Sequence, residues 1–317
     1  MNARYATQLT TLRTRQRGLA VVVAVLVVAL ATSTVSFVLW HQSLWLRQVE
    51  NLTERAQADA IGRAAANWAA AILAEDNRAI DHLGEAWAQP IPSFAAEAAQ
   101  VSGAITDEQS KFNINSLVRD GAASAPDVVV YQRLLEALGL PGSLADTLVD
   151  WLDADDTVTQ PNGAEDSYYL ALDPPYRAGN QRVVDVTELA RVKGYTPAVI
   201  ARLAPYITAL PTESLVNVNT APAPVLQAVV PTLSGGADAA QIIDRRKDHP
   251  YESVADFVRA LTKQPQAPLD SQIDIKSRYF SADLTVRLGR VTVGYHALFE
   301  RPDQGSPSLI ALSQIAY

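Results

Sequence analysis

The sequence predicts an α+β protein: a long N-terminal helix, a small antiparallel sheet near the C-terminus, and an all-α block inserted between them. Three observations predict it. An uncharged run from Leu19 to Trp40 continues without proline into an amphipathic pattern. The middle of the chain carries short helix signals with clear stops, and the last forty residues alternate apolar and polar side chains.

The run 19–40 is long enough, at about 33 Å of helix, to cross a hydrocarbon core. Arg4, Arg13, Arg15 and Arg17 precede it with no acid among them, which places a short N-terminus on the cytoplasmic side and everything after Trp40 on the other. Ala29-Leu30-Ala31 has the form of a signal-peptidase site, but the apolar run continues beyond it through Phe37 and Trp40. A second boundary lies earlier, at Gly18-Leu19. A basic leader ending in glycine and joined directly to an apolar helix resembles the prepilin leader of type IV pilins and type II secretion pseudopilins, whose peptidase cuts after the glycine. A plain signal anchor is the competing reading. The pilin pattern carries a Glu five residues after the cut, and here that residue is Val23. Loss of this Glu is typical of the minor pseudopilin K.

Beyond Trp40, the residues Trp45, Val49, Leu52, Ala56, Ala60, Ala64, Trp68 and Ala71 recur at helical spacing, with Arg47, Glu50, Glu54, Arg55 and Asp59 mostly on other faces. This predicts a helix through residues 41–84 whose apolar stripe packs on its own head. A coiled-coil stalk is disfavoured by the alanine-rich seam. Residues 85–110, with Pro90, Pro92 and Gly103, read as an irregular connection leading to a strand near 102–106.

Helix signals then follow in order. Pro126 opens a helix with Tyr131, Leu134, Leu135 and Leu138 inward and a stop at Gly139. Ser143 opens the next, burying Leu144, Leu148, Trp151 and Leu152. Thr196-Pro197 starts a third. Thr220 is read as the cap of a fourth, with Val225, Leu226, Val229 and Val230 inward. Gly235-Gly236 leads to the helix of Ile242 and Ile243, and Ser253 with Asp256 approximates a capping box. These group into two helical subdomains, 124–208 and 214–265. In the tail, 279–288, 291–297 and 309–315 alternate as an antiparallel meander, so residues 85–123 and 266–317 would form the head that the long helix covers.

The formal charge is −8, and removing the four arginines of residues 1–18 makes it more negative, which disfavours DNA or anionic surfaces as partners. Without cysteine there is neither a disulfide framework nor a thiolate metal site. The four histidines are scattered and no hydrolase or phosphate-loop motif occurs, so no enzyme is expected. The second helical subdomain resembles a helix-hairpin-helix or SAM-like module. Gly235, Gly236, Arg245, Arg246 and Lys247 could hold a phosphate in a DNA-uptake protein, but Asp238, Asp244 and Asp248 stand beside them, favouring a packing module.

The most informative polar cluster follows Trp151. Asp153, Asp155 and Asp156 sit at a helix C-terminus, where carboxylates are unfavourable, and no Lys or Arg occurs between Arg133 and Arg177. A hard cation such as Ca²⁺ would resolve the conflict. On spacing alone a solvated acidic loop remains open, since Val158 stands where an EF-hand needs glycine and Glu165 falls one place late.

Three segments, Asp107–Asn115 (DEQSKFNIN), Asp150–Asp155 (DWLDAD) and Gly163–Tyr169 (GAEDSYY), together with the PPYRAGN stretch at 174–180, resemble the minor pseudopilin K family of type II secretion systems. The resemblance covers essentially the whole chain. It implies a pilin-like α+β fold with a large all-α insertion, and calcium on Asp153, Asp155, Glu165 and Asp166, with Asp150 and Asp156 as candidates for further ligands. It also implies inner-membrane anchoring with a periplasmic head, processing by the prepilin peptidase between Gly18 and Leu19, and assembly with the minor pseudopilins I and J.

Overall fold

The computed structural model describes residues 4–96, 99–233 and 236–315, with side chains from Leu19 onward. The chain divides into two compact units: the first runs to Ala60 and includes Leu288–Val291, and the second holds Ile61–Arg287 and Thr292 onward. Helix α1 spans Arg4–Glu75. None of residues 19–40 is buried, as suits a segment that is long and apolar enough to cross a membrane.

The helix stops at Glu75 rather than near Gly84. No glycine or proline marks this end; a tertiary ion pair of Asp76 with Arg301 holds it, and the chain from Asn77 to Gln89 runs through turns. The predicted packing stripe is also displaced. In the second unit the helix buries Gly62, Ala65, Ala66, Ala69 and Leu73, whereas Ala64, Trp68 and Ala71 are exposed. Close approach decides this: a Cβ on Gly62 would lie 2.5 Å from the Tyr295 ring, so the packed face takes the smallest side chains.

Five strands form the main sheet. They are β1 (Ile91–Ala96), β2 (Ala99–Asp107), β9 (Tyr279–Leu288), β10 (Val291–Glu300) and β11 (Ser308–Ile315), in the order β1-β2-β9-β10-β11. β1 with β2 and β10 with β11 pair antiparallel. β1 was not expected, because Pro90 and Pro92 suggested a loop. It is an edge strand with a register shift between Ile91 and Phe94, where proline is tolerated. The tail runs form strands as expected, and the alternation is realised in β9, where Phe280, Ala282, Leu284, Val286 and Leu288 are buried while Asp283 and Arg287 are exposed; β11 is exposed along nearly its whole length.

Residues 108–278 are inserted between the neighbouring strands β2 and β9. The insertion contains short strands β3 (Phe112–Asn113), β4 (Val118–Arg119), β5 (Ala122–Ala123), β6 (Ile207–Thr208), β7 (Val216–Asn217) and β8 (Ile273–Asp274). Its helices are α2 (Ala125–Ala137), α3 (Leu144–Leu152), α4 (Asp166–Tyr169), α5 (Pro197–Leu203), α6 (Ala223–Val229), α7 (Gly236–Asp248) and α8 (Val254–Ala260). The predicted inward faces of α2, α3 and α6 are buried. One apolar cluster runs from Phe112 to Ile275 through both helical groups, so they share a core. Small parallel pairs, β3 with β6 and β7 with β8, brace it.

The segment Asp107–Asn115 ties the insertion to the sheet. Buried Asp107 accepts from the Gln109 amide, Asn217 Nδ2, Thr220 Oγ1 and Ser277 Oγ at 2.6–3.1 Å. Burial pushes its carboxyl up while these four donors pull it back. Thr220 is therefore spent on Asp107, and the N-cap of α6 is Pro222. Gln109 Oε1 accepts from the Arg278 amide at 2.7 Å, closing the junction between the two ends of the insertion.

Candidate metal centre

Helix α3 is buried along most of its length, so its last turn carries Asp150 into the interior (0% exposed). Asp150 accepts from the Thr159 amide at 3.0 Å, and the Gly163 amide donates to Thr159 O at 2.7 Å. These bonds fold residues 153–165 into a loop closed on the end of α3. Glycine is required at 163: a Cβ there would lie 2.1 Å from Asp150 Oδ2 and 2.6 Å from Thr159 O.

The loop gathers carboxylates. Asp153 is buried, and its Oδ1 is shielded from solvent without a donor. Glu165, 2% exposed at the start of α4, has neither carboxylate oxygen hydrogen-bonded. Asp155 and Asp156 are exposed, and Asp155 accepts from the Thr157 amide at 2.7 Å. Burial, then the nearby Asp155 and Asp150 charges, pushes Asp153 up to about 6. Glu165 is pushed up to about 7 by burial and by Asp150, Asp153, Asp156 and Asp155. These are five acids in one electrostatic neighbourhood, two of them buried with oxygens that nothing satisfies.

Asp166 lies apart from this group. Its Oδ2 accepts from Arg177 Nη1 at 3.1 Å and its Oδ1 from the Ala178 amide at 2.9 Å. Adjacent residues at a helix start point different ways, which no spacing rule reveals. Sequence reasoning also missed Lys193, whose Nζ donates to the carbonyls of Asn162 and Gly163 at 3.2 Å and stands 4.9 Å over the Tyr168 ring. It braces the back of the loop through carbonyls, and no pattern near the acids signals it.

Buried carboxylates without donors, with further acids beside them, are what a hard cation would satisfy. The residues present therefore fit calcium, with Asp153 and Glu165 the best placed of the expected ligands.

The other expected site residues are placed as follows. Gly18 and Leu19 lie within the backbone of α1, Leu19 is exposed, and the side chains of the four leader arginines lie outside those described. Gly235 of the proposed phosphate hairpin also lies outside them. Arg246 is buried and donates to Val218 O, Arg245 lies over the Tyr251 ring, and Lys247 pairs with Asp244. Of the basic residues of α7, Arg246 is thus committed to the fold, whereas Arg245 and Lys247 are exposed.

Comparison with known proteins gives one family. Two profiles described as type II secretion system (T2SS), protein K, match residues 110–212 and 216–276. The type II secretion system protein K of Pseudomonas aeruginosa is 35% identical over 291 residues, covering 88% of this chain and 86% of that one. Its counterpart in Aeromonas hydrophila is 31% identical, covering 90% and 93%. A chain in the crystal structure of the GspK-GspI-GspJ complex from enterotoxigenic Escherichia coli superimposes with a TM-score of 0.76 at 23% identity, covering 85% of this chain and all of that one. That likeness establishes the pilin-like fold, and the sequence relatives establish the lineage: this chain belongs to the type II secretion system protein K family.

Proposed function

We propose that the chain is a minor pseudopilin that works at the tip of the type II secretion pseudopilus, as a structural component and not as an enzyme. Residues 19–40 anchor it in the inner membrane, and the residues after Trp40 lie in the periplasm. The prepilin peptidase removes residues 1–18, leaving Leu19 as the new N-terminus. The observation that carries this reading is the insertion of 108–278 between adjacent strands of a sheet whose long helix keeps its apolar run fully exposed.

Its partners are the minor pseudopilins I and J. A structural neighbour was solved in complex with GspI and GspJ, and α1 of this chain leaves Trp45, Val49, Leu52 and Trp68 exposed for neighbouring helices. Val23 suits a leading subunit, with no neighbour ahead whose terminal ammonium would need a carboxylate. The DNA-uptake alternative draws no support from the relatives, and Arg246 is buried against Val218 O.

The acidic loop binds Ca²⁺ through Asp153 and Glu165, with Asp155, and with Asp150 and Asp156 as flanking carboxylates. Bound there, the ion neutralises the carboxylates and holds the end of α3 to the start of α4. Asp166 serves the site indirectly, by holding Ala178 and Arg177.

Complementation tests the reading. In a secreting host that lacks its own protein K, the full chain should restore release of a type II substrate into the medium. The same chain, extracted from membranes, should have an intact mass that starts at Leu19. Stable membrane insertion without restored release, or a mature chain starting at Thr32, would overturn it.

A further inference from the structure

We propose that the outer edge of β11 takes on an extended strand of a neighbouring minor pseudopilin in the tip complex, an inference that rests on the role proposed above. β11 ends the order β1-β2-β9-β10-β11, so among the described residues its only partner strand is β10. In such a strand the amides and carbonyls of about every second residue point away from the neighbour, here along Ser308–Ile315. Those groups are a template for one more strand.

The two edges of the sheet differ in how they meet solvent. β1 is guarded: Pro92 removes a donor, the register shifts between Ile91 and Phe94, and the Phe94 ring lies 5.2 Å from that of Trp68 on α1. β11 carries neither proline nor any charged residue, in a chain that is 19% charged. One register shift falls opposite Leu298 and Phe299, and the pairing is regular from Ala311 to Ile315. Leu309, Ile310 and Ile315 are exposed, and Leu312 alone is half-buried. The course of α1 explains this exposure. Gly62 sits on Tyr295 of β10 and Trp68 beside Phe94 of β1, so within the second unit the helix crosses the sheet away from β11.

Composition selects the occupant. A strand added here meets Leu309, Leu312 and Ile315 and no charge, so it is itself an uncharged segment with apolar side chains at alternate positions. A second copy of this chain is disfavoured, because each carries a formal charge of −8 that pairing would bring together. A neighbour in the tip complex already lies alongside. α1, the element offered to neighbouring helices, enters the sheet over β10, the strand next to β11.

Amide hydrogen exchange, read residue by residue, tests a backbone contact directly. The full chain is compared in detergent alone and co-purified with the minor pseudopilins I and J. In the complex, alternate amides of β11 should exchange at least about tenfold more slowly than in the chain alone. A complex in which β11 exchange is unchanged would overturn the strand pairing and leave the tip role standing. Failure to form any complex would instead overturn that role, and the pairing with it. Slow exchange already present in the chain alone, together with a dimer by native mass spectrometry, would overturn the assignment in favour of a second copy. The double variant Ala311→Lys, Ser313→Lys places two charges at exposed positions of the strand. It should lower recovery of I and J about tenfold while the isolated chain unfolds within a few degrees of the parent, and parent-like recovery would overturn the pairing.

Discussion

Arg301→Met should destabilise the protein, and the penalty should depend on pH in a way that identifies its cause. Arg301 is 3% exposed and donates to Asp76 at 2.7 Å, to Asp81 and to Ser277 O at 3.1 Å, with its guanidinium 4.5 Å over the Phe280 ring. Methionine preserves most of the stem packing but leaves Asp81, 0% exposed, with the Ser277 amide as its remaining donor among those described. Breaking a buried pair in this way costs about 3–5 kcal/mol when the stranded acid is ionised. At about 2–4 °C per kcal/mol for a chain of this size, the midpoint should fall by about 6–20 °C.

Burial already pushes Asp81 up to about 7 despite the attraction of Arg301, and without Arg301 the carboxyl rises further. A carboxyl raised above its unfolded value removes stability as pH climbs from the unfolded to the folded pKa. Below about pH 7 both proteins hold a neutral Asp81, and the gap between them stays constant, nearer the 1–3 kcal/mol of a lost buried hydrogen bond. Above it the parent ionises while the variant continues to lose stability, and the gap widens by up to about 1.4 kcal/mol per pH unit. Thermal and denaturant unfolding of the detergent-solubilised chain at pH 6 and pH 8.5 reads this directly. An equal penalty at both values would refute the account of Asp81.

Two further outcomes concern the acidic loop. In EDTA, stability should fall as pH rises from about 4 to about 7, because Asp153 and Glu165 are raised from 3.8 to about 6 and from 4.5 to about 7. Asp81 adds the same sign, so an Asp153→Asn, Glu165→Gln variant isolates the loop: its decline over that window should be shallower by at least about 1 kcal/mol. Calcium at a hundredfold excess over Kd should restore about 2.7 kcal/mol to the parent at pH 7.5 and little to the variant, as thermal unfolding will show; equal responses would remove calcium from the loop. Gly163→Ala should cost about 1–3 kcal/mol through overpacking against Asp150 and Thr159 O and should weaken calcium binding in the same titration.

Local patterns in the sequence carried much of this fold. The alternation of 279–288 and the inward faces of α2, α3 and α6 are visible because period and burial coincide within one element, whereas β11 is exposed along nearly its whole length and its alternation reports no burial. The acidic loop was visible for the same reason, as acids clustered next to a helix end. What escaped was decided by contacts distant in sequence. The end of α1 at Glu75 depends on Arg301, over 220 residues away, and Thr220 leaves its expected cap for Asp107, 113 residues away. The stripe on α1 was displaced because helical spacing alone does not say which face meets the sheet: Gly62, Ala65, Ala66, Ala69 and Leu73 are buried, with Gly62 against Tyr295, and Trp68 is left 43% exposed at the edge of Phe94. Asp166 and Glu165 are adjacent in sequence, yet only a strap at 177–178 separates their roles.

Membership of the tip complex is tested most directly by co-expressing the full chain with its minor pseudopilins I and J and isolating it from detergent-solubilised membranes. A single affinity tag on this chain should recover all three in equal amounts, measured by native mass spectrometry. Leu52→Glu, which places a charge on the exposed face of α1 at a residue 67% exposed, should leave the unfolding midpoint of the isolated chain within a few degrees but reduce that recovery. Recovery of this chain alone, from membranes in which I and J are present and folded, would contradict the proposed role.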